Sequence, residues 1–84
     1  MSDTIPEPAG SIAHAQAAID RVLADCSKLA RAAHAEGRIA DEQALKELRQ
    51  TATADRMGLE DLTAAELAAV TARYQASHRE LTEP

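Results

Sequence analysis

The chain has 84 residues with nine Lys or Arg against fourteen Asp or Glu, a net charge of −5 at pH 7. Apolar residues make up 45%, but twenty of them are alanine; Leu, Ile and Val together number only 14, beside one Tyr and no Phe or Trp. That is material for one domain, and it excludes a large catalytic domain, an aromatic platform for nucleic-acid bases and a disulfide-stapled mini-protein.

Residues 1–10 hold Pro6, Pro8 and Gly10, none of which continues a helix, so they read as a flexible arm ahead of a single helical domain at 11–82. There is no basic stretch followed by an apolar run at the N-terminus, so no secretion signal is expected. No segment nears 18 consecutive apolar residues, so a membrane span is not expected either. Cys26 is the only cysteine, which rules out an internal disulfide and makes a reducing cytoplasm the expected compartment. Alanine richness with few lysines suggests a bacterial or phage source.

From Ala9 to Glu83 there is no proline, and Gly10, Gly37 and Gly58 divide the stretch into three segments of helix-forming residues. Alternating β-branched runs are absent. The expected class is all-α: a three-helix bundle, or a long helix with a helical hairpin, with helices at about 12–36, 41–56 and 64–81.

The first helix starts after Ser11, whose hydroxyl can cap a free backbone N–H, and stops where Gly37 can take the left-handed C′ position. Ile12, Ala15, Ile19, Val22, Cys26, Leu29 and Ala33 alternate steps of 3 and 4, and Leu23 and Ala30 widen the seam. This is an a/d stripe, suited to a bundle or a coiled coil.

The second helix is expected to begin at an Asp41 N-cap and end near Arg56, with a thin apolar face of Ala44, Leu45, Leu48 and Ala52. Glu42 and Lys46 stand in the favoured order for an i,i+4 pair. The third opens on Thr63-Ala64-Ala65-Glu66, a capping box flanked by Leu62 and Leu67 at the staple positions. Its seam is Leu67, Val70, Tyr74, Ser77 or His78, and Leu81, with a second, small-residue face of Ala65, Ala68, Ala69, Ala72 and Ala76.

The second helix is too short to cover the first at ~1.5 Å per residue, and small domains bury little surface in any case. Part of the Ile12–Leu29 stripe should need a partner, with a homodimer as the expected assembly. Candidate interface residues are Ile12, Ile19, Val22, Leu23, Cys26, Leu29, Leu67, Val70 and Tyr74.

Candidate chemistry is sparse. His14, Cys26, His34 and His78 form no close ligand pair, so no metal or other cofactor is expected. Cys26 on the apolar seam reads as a small hydrophobe, and His34 as a cation at a helix C-terminus. Tyr74 reads as a core ring with its hydroxyl at a polar edge. The cations His14, Arg21, Lys28, Arg31 and Arg38 are spaced 7, 7, 3 and 7 along the side of the first helix opposite its seam. They read as a solvated face or a docking stripe for an acidic partner or RNA backbone, although Asp20 intrudes and no aromatic is interleaved.

No nucleophile–base arrangement or Gly-rich phosphate loop is legible, so no catalytic residue is assigned. A helix-turn-helix would need base-reading side chains at the start of the third helix, where Ala64-Ala65-Glu66-Leu67 stand instead. The function expected is non-catalytic: a small helical protein-interaction module, an adaptor or inhibitor of a larger protein, in the manner of a phage- or plasmid-encoded antagonist. A nucleic-acid-associated regulator using the basic stripe comes second, although nucleic acid is not an expected partner; a small all-helical enzyme comes third.

Overall fold

The computed structural model describes residues 10–83. They form a three-helix bundle of α1 (Ile12–Ala35), α2 (Ile39–Met57) and α3 (Ala64–Thr82), with a 3-10 turn at Leu59–Asp61 and no strand among the described residues. The arm expected at 1–10 lies outside the described residues except for Gly10.

α1 begins as its sequence requires: the Ser11 hydroxyl accepts from the His14 backbone N–H at 3.1 Å. It ends in a full Schellman motif. The Gly37 N–H donates to the His34 carbonyl at 3.1 Å and the Arg38 N–H to the Ala33 carbonyl at 2.9 Å. Gly37 supplies the left-handed residue, at φ 72°. A Cβ there would meet nothing within 4 Å, so Gly37→Ala should cost only the strained backbone, about 1–2 kcal/mol. For a domain of this size that is a fall in Tm of roughly 5–15 °C, readable by thermal circular dichroism; an unchanged Tm would show that the turn does not hold α1 to α2.

The chain leaves this motif directly into the next helix. α2 starts at Ile39, not after an Asp41 cap, and no side chain caps it. Asp41 falls at N3, where its carboxylate suits the positive end of the helix dipole and meets Arg38 at 2.9 Å. The Glu42–Lys46 pair forms at 3.1 Å. At the far end α2 continues to Met57, one residue past the expected stop.

α3 carries both halves of its capping box. The Glu66 N–H donates to the Thr63 hydroxyl at 3.2 Å and the Thr63 N–H to the Glu66 carboxylate at 2.9 Å. The Glu66 carboxyl is held below its ordinary pKa, first by the Thr63 backbone N–H and then by its hydroxyl.

α1 is the central element, packed by α2 along one flank and by α3 along the other. α2 runs antiparallel to it, since His34 reaches Glu42 near the turn and Asp20 reaches Arg56 at the opposite end. α3 runs parallel to α1, from Gly10 beside Ala64 to Asp25 beside His78. The interior is built on Ala15, Ala18, Ile19, Val22, Cys26, Ala52, Leu59, Leu67 and Tyr74. Three of these nine are alanines lying between α1 and its neighbours, where a small side chain lets backbones approach. That is how a chain with so few large apolar residues closes a core.

Candidate functional site

The described residues offer three surface clefts that matter for function, one on each flank of α1 and one at the α1–α2 turn. Side-chain clasps tie the helices together. Arg56 meets Asp20 at 2.8 Å, His34 meets Glu42 at 3.2 Å, and the His78 Nδ1 meets Asp25 at 2.5 Å. Asp55 of α2 accepts from the Tyr74 hydroxyl and, at 2.7 Å, from Arg73, whose guanidinium also lies 5.1 Å from the Tyr74 ring centre. Every buried side-chain N or O among the described residues has a hydrogen-bond partner.

The turn cleft has a volume of about 270 Å³ and is lined by Leu29, Arg38, Asp41, Ala44 and Leu45. It exists because α3 stops early. The last turn of α3 reaches only Asp25, Lys28 and Leu29, which share a smaller cleft with Leu81 and Thr82. α1 continues to Ala35 and turns into α2, with no third helix beside it among the described residues. Here cover is partial: Ala33 of the α1 stripe stays fully buried, but Leu29 and Leu45 are half-buried, Ala44 is exposed, and Ile39, at the start of α2, is 77% exposed.

The expected interface residues therefore divide. Ile19, Val22, Cys26, Leu67 and Tyr74 are 0–5% exposed. They are filled positions of this chain's own core, so any pairing that keeps the bundle intact cannot use them. Part of the Ile12–Leu29 stripe is expected to need a partner, and α2 and α3 together already cover its middle. Leu23, Leu29 and Val70 are half-buried and Ile12 is 37% exposed, which confines the available apolar surface to the ends and edges of the seam.

The cations divide too. Arg21 lines a cleft between α1 and α3, Lys28 the smaller one beyond it, and Arg31 a shallow face between α1 and α2 with His34, Lys46 and Arg49. Arg38 lies beyond the helix and is engaged by Glu36 at 2.8 Å as well as by Asp41. His14 is half-buried near the start of α1. The expected single stripe is thus spread over both flanks and the turn.

Cys26 is 1% exposed, and burial, with Asp25 adding to it, pushes its thiol above the ordinary value. A buried thiol held protonated is a poor nucleophile. Thiol reagents should react with Cys26 only at the rate at which the chain unfolds, and at once in denaturant. Rapid labelling of the folded chain would show that the α1–α3 packing opens readily. A disulfide between two copies through Cys26 is not accessible to the folded bundle.

Among the described residues no three His, Cys, Asp or Glu side chains come together as metal ligands. None of the helices is long and apolar enough to cross a membrane. No family model, curated protein or solved structure matches the chain.

Proposed function

We propose that this chain is a non-catalytic protein-interaction module, an adaptor or inhibitor of a larger protein, that docks through the open end of the α1–α2 hairpin and pairs with a second copy there. The observation that carries the reading is the two-helix extension beyond α3. A cleft with Leu29, Ala44 and Leu45 on its walls is set among the charged groups of Arg38 and Asp41, and the exposed Ile39 lies between those two in the chain. An apolar centre with a polar rim is the composition of protein interfaces, and two helices side by side present a groove for an apolar helix face.

The test uses the exposed positions, so that folding is not in question. A photo-crosslinking side chain at Ala44 should give a covalent product with a second copy or a larger protein, and one at Ala72, on the exposed face of α3, should not. Sedimentation should show a concentration-dependent larger species that Ile39→Glu combined with Ala44→Glu removes while the helical spectrum is retained. Wild-type chain that sediments as a monomer at every concentration and crosslinks equally from both positions would overturn the proposal.

A further inference from the structure

On the opposite flank from the docking surface, and independent of it, the geometry points to an oxyanion site: the cleft between α1 and α3 binds the phosphate group of a phosphate monoester. This cleft has a volume of about 230 Å³ and is lined by Ala18, Arg21, Gln75, His78 and Arg79. Its floor is small and apolar, since Ala18 is 3% exposed. Its walls carry two guanidiniums from different helices, an imidazole and a carboxamide. Neither Arg21 nor Arg79 makes an ion pair among the described residues, whereas Arg38, Arg56 and Arg73 are each committed to carboxylates.

The imidazole is positioned from behind. His78 Nδ1 faces the Asp25 carboxylate at 2.5 Å, and the two side chains are 34% and 15% exposed. With Nδ1 engaged by Asp25, Nε2 is the ring nitrogen left for an occupant, the arrangement in which a carboxylate fixes the orientation of a working histidine. Asp25 itself is not among the lining residues; it lines the adjoining cleft with Lys28.

The donor set selects the class of anion. A planar carboxylate is satisfied by one Arg fork, but a tetrahedral oxyanion presents oxygens in several directions and matches donors converging from both walls. Arginine is the side chain best suited to such multidentate contact. The shallow cationic face on the other flank of α1 lacks this arrangement. It is wider, at about 400 Å³, and contains Glu42, which already engages Lys46 and His34.

The experiment is a titration of the full chain with inorganic phosphate at constant ionic strength, following the three histidine rings by NMR. His78 should shift saturably, while His34, on the other cationic face, serves as the internal control. Arg21→Gln and Arg79→Gln replace exposed side chains and should leave the helical spectrum intact, each weakening binding roughly tenfold through loss of a charge-assisted contact. A blocked phosphoserine peptide and glycerol phosphate are then compared as probes. Tighter binding of the peptide assigns the phosphate to a protein partner, and equal or tighter binding of glycerol phosphate assigns it to a small metabolite. If His34 and His78 shift together without saturation, or if the double Arg variant binds phosphate as the wild type does, the site does not exist.

Discussion

Ile19→Asp is expected to abolish cooperative folding. Ile19 has no exposed surface and is one of the four largest fully buried side chains, alongside Leu59, Val22 and Cys26. An aspartate there would stand among apolar neighbours with no cation within the core to meet it. An unpaired buried charge costs several kcal/mol even after relaxation. A small domain of this kind has about 5 kcal/mol to lose, so the variant should show no thermal transition and a largely unfolded circular dichroism spectrum at every concentration. Ile19→Val, which removes one methylene, should cost only about 0.5–1.5 kcal/mol and keep the transition. Asp20→Asn, one residue along and exposed, changes only the pair with Arg56 and should move stability little. The informative failure is specific. If Ile19→Asp stays helical and merely loses a concentration-dependent species in sedimentation, then Ile19 lies between two copies and the single-chain core described above is wrong.

The parts of this fold legible from sequence are those whose signal is local. Seven apolar positions in α1 kept a heptad rhythm, Gly37 marked a backbone position only glycine tolerates well, and Thr63 with Glu66 announced the start of α3. Each of these depends on residues within one or two turns of each other. The start of α2 was misread because a Schellman turn closes so tightly that the next helix begins two residues later, making Asp41 an interior acid instead of a cap. Leu59 was missed for a different reason. It stands between Gly58 and Glu60-Asp61 with no periodic neighbour, so nothing local distinguishes a loop residue from one that plugs the core at 1% exposure.

The candidate sites were less legible because they depend on which flank of α1 each neighbour takes. Seven residues advance a helix by about 20° short of two full turns, so Arg21 and Lys28 stay near one line beside α3. The three-residue step to Arg31 turns the position by about a further 60° in the same sense, toward the α2 side. Arg38 then lies past the left-handed glycine and belongs to the turn. The spacing of cations was real, but the surface they share is only partly common. Likewise the partners that define the α1–α3 cleft, Arg21 with His78 and Arg79, come from segments more than fifty residues apart, and only the parallel placement of α3 brings them together.

Tyr74 should titrate far from an ordinary phenol, and the chain offers a clean way to read it, since it is the only aromatic residue. Burial raises its pKa first, the hydrogen bond to the Asp55 carboxylate raises it further, and Arg73 offsets this in part, for a value pushed up to about 12. The ring is 2% exposed, so ionising it would place a phenolate in the α2–α3 seam beside a carboxylate. The folded state therefore favours the protonated phenol. The resulting stabilisation is complete below the unfolded value of about 10 and is lost as pH rises from there toward about 12. Its size is on the order of 2 kcal/mol, and it should appear as a fall in stability across that window in the wild type but not in Tyr74→Phe. At neutral pH the same substitution removes one donor to Asp55 while leaving Arg73 in place, at a cost of about 1–2 kcal/mol. Asp55→Ala should be worse, because it releases Tyr74 and Arg73 together and strips α3 of its polar clasp to α2. Tyrosinate absorbance recorded beside the helical signal separates the outcomes. A midpoint near 12 with helix intact supports the clasp, whereas a midpoint near 10 in a still-helical chain means that the hydroxyl is solvated and that α3 is held to α2 by apolar contact alone.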